Sequence, residues 1–446
     1  MMWFRRDLRL RDNPALRAAL EDGPTVALFV LDPVLWDGAG PARRAWLAAT
    51  LEALDERLDG RLAVRRGDPV KVVRAVAKEV GATSVHVSAE TTPYGRRRDE
   101  RVEKALDEVA LVRTGSPYAV GPGLVRNGSG KPYQVFTPFS RAWRDHGWAE
   151  PAPTPRSPDL ETLDSHKQAW NTMRKAVSDG PEGMPEAGEE AAWRRWRHFR
   201  DDLMSSYATA RNKPAVDGTS RLSPYLHLGV LHPRSLLADL GTGAGTQRFE
   251  TEIGWREFYA DVLWHSPESA WEDLKPALKT MRYDEPEDAI EAWRTGTTGF
   301  PIVDAGMRQL MREGWMHNRV RMITASFLTK DLHVWWPVGA RHFLDLLIDG
   351  DVSSNNHGWQ WVAGTGTDAS PYFRVFNPIT QGLKFDPRGE YVRRWVPELR
   401  HLEGKAAHEP WRSDDGYEHD YPLRIVDHAD ERAEALERYQ ATRAGR

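Results

Sequence analysis

The chain has 446 residues, 40% of them hydrophobic and 28% charged, with a formal net charge of −4; that suits a globular protein of two or three domains. Cysteine is absent, which excludes disulfides, thiol nucleophiles, Cys-ligated zinc and iron–sulfur clusters. No run approaches the roughly 18 apolar residues of a membrane span, and the Arg-dense start MMWFRRDLRLRDNP lacks the apolar core of a signal peptide. A cytoplasmic protein is expected, and any nucleic-acid contact has to come from a local basic surface.

Residues 1–125 alternate between strand and helix patterns. TVALFVLD (25–32) is a short apolar run ending at an Asp-Pro turn, and PARRAWLAATLEALDERL (41–58) has helical spacing. LAVRRGD (62–68) reads as a strand, PVKVVRAVAKEV (69–80) as a helix, SVHVSAE (84–90) as a strand, YGRRRDERVEKALDEV (94–109) as a charged helix and ALVRTG (110–115) as a strand. Alternation of this kind predicts an α/β domain with a parallel, Rossmann-like sheet. No GxGxxG follows a strand, so the dinucleotide fingerprint is missing.

Residues 126–190 are rich in Pro, Gly and acids, as in EPAPTPRSPDLETLDS and SDGPEGMPEAGEE. They read as an interdomain linker, partly irregular and draped over the surface. From 191 to 446 the pattern is helical: EEAAWRRWRHFRDDL, QRFETEIGWREFYADVLW, IVDAGMRQLMREG, MHNRVRMITASFLTKDLHVWW and GARHFLDLLIDG all carry three-to-four spacing, and the tail (429–446) is a charged helix-like segment. An all-α second domain is expected.

Four stretches carry chemistry. Tyr207 and TSRLSPYLHLG (219–229) gather Thr219, Ser220, Arg221 and Ser223; two readings stand, a cradle for a pyrophosphate and a helix cap. In FETEIGWREFY, Phe249, Glu252, Trp255 and Tyr259 share a helix face. A carboxylate among aromatics suits a planar ligand with a polar edge, and the plainer reading is a Glu252 paired with Arg256. In GWMHNRVRMITASFLTKDL, Val320, Ile323 and Phe327 form a core stripe. Trp315, Asn318 and Met322, flanked by Arg319 and Arg321, form a second face able to meet phosphate and base. His317 reads as structural. In LIDGDVSSNN, Asp349, Asp351 and Asn355 permit a metal reading, which an EF-hand spacing does not support. The chain holds 19 Trp against 13 Phe and 12 Tyr, and the pairs Trp335–Trp336 and Trp359–Trp361 lie beside polar residues, where indoles serve either as core or as stacking surfaces.

Taken in order, WFRRDLRLRDNPAL, TSRLSPYL, GWREFY, FPIVDAGMRQL, GWMHNRVRMITASFL, LIDGD and NNHGWQWVAGTGTDASPYFRVFNP resemble the DNA photolyase/cryptochrome family over nearly the whole chain. The likeness is greatest to class I cyclobutane pyrimidine dimer photolyases. The resemblance implies a folded-back FAD in the helical domain, held by Tyr207, Thr219, Ser220, Arg221, Leu222 and Ser223. Asp349 would pair with Arg321 near the flavin ring, Asp351 would meet its polar edge, and Asn355 would face N5, where an amide suits the fully reduced anionic form.

The same resemblance implies UV-damaged DNA as the partner, its pyrimidine dimer flipped into a pocket. Trp255 and Trp361 would sandwich the dimer. Glu252 would bond its polar edge and stabilise the dimer radical anion. Asn318 and Met322 would line the pocket, and Arg211, Arg319, Arg321 and Arg374 are candidates for phosphates. Repair would run by electron transfer from light-excited FADH⁻ to the dimer and back, with no metal. Trp359 and Trp336 would be the first two members of the family's electron relay. The third, normally Trp, falls on Tyr283 ten residues before Trp293; Tyr283 or another exposed aromatic is expected to end the relay, without affecting repair by pre-reduced flavin. The antenna expected in the N-terminal domain is 8-hydroxy-5-deazaflavin, because Tyr94 and Gly95 stand where the folate type carries Asn-Glu; methenyltetrahydrofolate or an empty site are the alternatives. The rival to repair is a cryptochrome-type blue-light receptor. A monomer is expected.

Overall fold

Four helices of the N-terminal half start in the same way, with an Asn, Asp or Thr followed by Pro. Asn13, Asp32, Asp68 and Thr92 each accept a backbone N–H of the first turn, and Pro14, Pro33, Pro69 and Pro93 take the first helical position, where a missing N–H costs nothing. These caps set the helices at the ends of six parallel strands, β1 (Met2–Phe4), β2 (Thr25–Leu31), β3 (Leu62–Arg66), β4 (Ser84–Val87), β5 (Ala110–Arg113) and β6 (Leu160–Glu161). The strand order is β3-β2-β1-β4-β5, with β6 also pairing with β2. Register runs from Trp3 opposite Leu28, through Ala27 opposite Leu62, to Ser84 opposite Ala110. The computed structural model describes residues 1–155, 158–275, 278–367 and 373–444.

The central strand, β1, is not flagged by the sequence pattern. Its three residues are read as part of an Arg-rich start, yet Met2, Trp3 and Phe4 are fully buried. A strand buried on both faces needs an apolar run rather than alternation, and three residues are too few to stand out.

The linker expectation for 126–190 needs correcting. This stretch holds helix Phe136–His146, strand β6 and helix Lys167–Ser178. Phe136, Phe139 and Trp143 form an apolar stripe at i, i+3 and i+7, and Phe139 and Trp143 are buried against the second half. Ala169 and Met173 are also buried, on a helix that packs against the N-terminal helix Pro41–Arg57. The Pro- and Gly-rich segments on either side obscure both helices.

Among the described residues no strand follows β6, and the rest of the chain is helical. The long helix Ala244–His265 runs through its middle. Buried Glu257 accepts N–H groups of Ala119, Val120 and Gly121, and Asp261 accepts that of Gly123, so this helix is tied to the N-terminal half. The expected helix through MHNRVRMITASFLTKDLHVWW is two elements. Helix Asn318–Ser326 ends in a π-turn at Phe327–Asp331, His333 takes a left-handed φ of 53°, and a new helix begins at Trp336. The tail helix spans His428–Ala444. Among the described residues no helix is long and apolar enough to cross a membrane.

Candidate functional site

The long helix, helix Asn318–Ser326, helix Val352–Ala363 and the loop 219–223 enclose a cavity of about 540 Å³, within the range of cofactor sites. Most of the residues singled out in the sequence line it: Tyr207, Arg211, the run Thr219 to Ser223, Glu252, Trp255, Asn318, Arg319, Arg321, Met322, Asp349, Asp351, Asn355, Trp359 and Trp361. Trp336, Tyr283 and Arg374 stand outside that lining.

One wall is polar and closely paired. Asp349 Oδ2 accepts from Ser223 Oγ at 2.6 Å and from Arg321 at 2.8 Å, and its buried Oδ1 has no partner among the described residues. An orphaned carboxylate oxygen beside a cavity is an acceptor awaiting a ligand's donor. Asp351 accepts from Arg6 at 2.7 Å and caps its helix through Ser354 N at 2.9 Å. Burial pushes the Asp351 carboxyl up, but the charge of Arg6, then those of His227 and Arg256, outweigh it and hold the group well below the carboxylate range. With guanidinium partners on both acids, the metal reading of this stretch is corrected: cations already fill those places. Asn355 donates both amide hydrogens, to Ala340 O at 3.1 Å and Asn356 Oδ1 at 2.8 Å. Its carbonyl oxygen is the end left for the cavity.

The loop 219–223 turns sharply at Arg221, whose φ of 51° is left-handed and whose guanidinium lies 4.4 Å over Trp315. The carbonyls of Thr219 and Ser220 accept from Arg195, itself bidentate to Asp217. The cap reading is corrected: Leu222 is the N-cap of the short helix Ser223–His227, no side chain caps it, and the Ser223 hydroxyl donates to Asp349 instead.

The rest of the lining is largely aromatic and basic. Trp255 stacks on Phe136 with centroids 3.8 Å apart and planes at 9°, which holds its indole flat and leaves one face covered. The guanidinium of Arg374 lies 5.0 Å from the ring of Trp361. Glu252 pairs with Arg211 at 2.6 Å and Arg248 at 3.1 Å. The Glu252–Arg256 pair is therefore corrected: Arg256 donates instead to the carbonyls of Pro117 and Leu226. Arg319 donates to Asn212 and lies 4.4 Å over Phe385. His317 caps the helix that carries Asn318. Burial, then the charges of Arg319 and Arg321, push its pKa down to about 3, so it is a neutral structural group.

Trp359 lies at the cavity edge, 3% exposed, edge-on to Phe343 at 4.9 Å and Trp293 at 6.1 Å. Trp336 is fully buried and donates to Asp273 at 2.7 Å. Tyr283 is half-buried, and its hydroxyl has no partner among the described residues. Burial, then the charge of Asp273, push its pKa above the usual range. Residues 368–372 of the GTGTDASPYF run lie outside the described residues.

The sequence reading missed Arg248 and Phe136. Arg248 had a local signal, since it precedes Glu252 by one helical turn. Phe136 had none, because it reaches the cavity wall from 119 positions away in the chain.

Known proteins resemble this chain along its whole length. A family described as DNA photolyase matches residues 1–158, past the expected boundary at 125, and the FAD binding domain of DNA photolyase matches residues 249–441. The deoxyribodipyrimidine photo-lyase of Streptomyces griseus is 44% identical over 96% of both chains. That of Escherichia coli strain K12 is 39% identical over 100% of this chain and 99% of its own. Among solved structures, a class III photolyase from Agrobacterium tumefaciens superposes with a TM-score of 0.89 at 37% identity, covering 99% of this chain and 97% of its own. An archaeal photolyase from Sulfolobus tokodaii, with two FAD molecules, gives 0.86 at 28% identity over 99% of each. Identity at this level along essentially the full length leaves one assignment: the chain belongs to the DNA photolyase family.

Proposed function

We propose that this protein is a deoxyribodipyrimidine photo-lyase, a light-dependent enzyme that restores pyrimidines in UV-damaged DNA with FAD as its cofactor. The observation that carries this reading is that one cavity has two chemically different kinds of lining. The orphaned Asp349 oxygen and Asn355 line it together with Trp255, Trp361, Glu252 and Met322. A cofactor and a flat, polar-edged lesion are thereby offered van der Waals proximity.

Tyr207, Thr219, Ser220, Arg221, Leu222 and Ser223 would hold the cofactor's phosphates and ribitol, and Asp349, Arg321, Asp351 and Asn355 its ring. When bound and reduced, FAD supplies a light-excited electron to the dimer and receives it back after the cyclobutane bonds part. The remaining work belongs to the protein. Arg211, Arg319 and Arg374 neutralise backbone phosphates and so make binding salt-dependent. Trp255 and Trp361 stack on the everted pyrimidines, which offsets the few kcal/mol of unstacking. Glu252 addresses their polar edge, its less exposed partner Arg211 supplies positive field where negative charge develops, and the more exposed Arg248 is left to meet phosphate. Asn318 and Met322 complete the pocket. A monomer is the working form in this reading.

For the antenna we favour 8-hydroxy-5-deazaflavin. Tyr94 is tied to Asp32 at 2.6 Å, and a Cβ at Gly95 would lie 1.9 Å from Glu90, so the position offers no room for the folate type's acid. Purification in the dark followed by an absorption spectrum tests the cofactor reading directly. A flavin spectrum, together with tighter binding to a dimer-containing duplex than to the undamaged duplex, is expected. A colourless protein with no such preference would overturn it. A cryptochrome-type receptor remains the second reading; Asn355, Asn318, Met322 and Trp255 favour repair.

A further inference from the structure

We propose that Trp335 is the solvent-side terminus of the electron relay that enters through Trp359 and Trp336, an inference that rests on the flavoprotein reading above. The two adjacent indoles are arranged in opposite ways. Trp336 is fully buried, Trp335 is 39% exposed, and their ring centroids are 6.5 Å apart at 68°. The left-handed His333 and the extended Trp335 (φ −64°, ψ 132°) break the chain just before helix Trp336–Leu346. This break turns one ring inward and the next outward.

A single carboxylate serves both rings. Asp273 Oδ1 accepts from Trp336 Nε1 at 2.7 Å and lies 3.4 Å from Trp335 Nε1, and the residue is 7% exposed. An indole that loses an electron becomes a cation. A buried negative charge at its N–H lowers the cost of that cation on either ring. Rings in near contact exchange electrons readily, so the hole settles on the ring whose cation water can also solvate. Buried Trp336 has no access to water, whereas Trp335 does.

The step balances as follows. Trp335 gives one electron to the Trp336 radical cation, whose own electron has passed through Trp359 to the light-excited, oxidised flavin. The Trp335 Nε1 proton goes to water, leaving a neutral indolyl radical. A solvent thiol then returns one hydrogen atom, becoming a thiyl radical. The net result is one electron moved from thiol to flavin.

Tyr283, the alternative exit, is poorly equipped. A phenol must lose its proton as it is oxidised, and its hydroxyl finds no acceptor among the described residues.

The test uses the holoprotein with oxidised flavin, a blue flash and transient absorption, on the native chain and on Trp335→Phe, Tyr283→Phe and Trp359→Phe. Flavin content per chain reports folding of each variant. Native protein and Tyr283→Phe are expected to give a long-lived neutral tryptophanyl radical that thiol quenches. In Trp335→Phe that long-lived signal is lost and charge recombines. Peptide mass spectrometry after prolonged illumination without thiol should find oxidation products at Trp335. A tyrosyl spectrum in the native chain, or an unchanged radical in Trp335→Phe, would overturn the proposal. Radical formation that survives in Trp359→Phe would instead show that the relay reading underneath it is wrong.

Discussion

Arg6 and Asp351 meet at 2.7 Å although 345 positions separate them. The pair joins the end of the central strand to the helix that carries Asn355, Trp359 and Trp361. Its side chains are 16% and 9% exposed, so removing one partner strands a buried charge, at a cost of about 3–5 kcal/mol. Arg6→Ala is expected to lower the unfolding free energy in urea by that amount and to release flavin more readily. Flavin fluorescence during the titration reads both.

Gly339 gives Trp359 its place. A Cβ there would lie 2.2 Å from Trp359 Cη2 and 2.5 Å from Leu328 Cδ2. In an open helix Gly→Ala gains up to about 1 kcal/mol; here overpacking costs about 1–3 kcal/mol and dominates. Gly339→Ala should lower the melting temperature and alter the quenching of Trp359 fluorescence by bound cofactor.

Glu252 and Arg248 should separate chemistry from affinity. Glu252→Gln keeps the shape but loses the ionic anchor that holds Arg211 and Arg248 against the pocket, so repair should fall by about ten- to a hundredfold with flavin retained, as when one preorganised electrostatic contact is lost. Arg248 is 45% exposed at its side chain. Arg248→Ala is expected to weaken damaged and undamaged duplex alike and to reduce the salt slope by about one. Binding isotherms at several salt concentrations check this.

Four histidines, His317 and His357 buried and His227 and His342 half-buried, make the fold acid-sensitive. Burial pushes His227 and His317 down to about 3, and His342 and His357 down to about 4. Each is neutral when folded and protonates near 6.5 when unfolded. Their contribution is complete above that value and is lost as pH falls toward the folded value, by up to about 1.4 kcal/mol per pH unit for each group. Urea midpoints should drop steeply on acidification from about pH 7 to about pH 5, and His317→Gln should make the slope shallower by one proton.

The cavity was legible because its polar groups sit in short contiguous motifs. TSRLS, GWREFY and HNRVRM each pack several lining residues into one helical turn or loop. What stayed hidden depends on contacts distant in sequence. Phe136 stacks on Trp255 from a segment whose Pro and Gly content hides a helix, and Arg6 looks like one more N-terminal arginine until the sheet turns it toward Asp351. The break at His333 is local, but its signal is a backbone angle that a helical pattern of apolar residues does not disclose. For that reason the exposure of Trp335 came only from the structure.

The central claim is that this cavity brings a reduced flavin within electron-transfer distance of an everted dimer. The most direct measurement is to illuminate the pre-reduced holoprotein, without oxygen, with an oligonucleotide carrying one cyclobutane thymine dimer, and to quantify restored thymines by chromatography against a dark control. Restoration under blue light and none in the dark is predicted. Intact dimers after illumination of fully reduced, DNA-bound protein would contradict it.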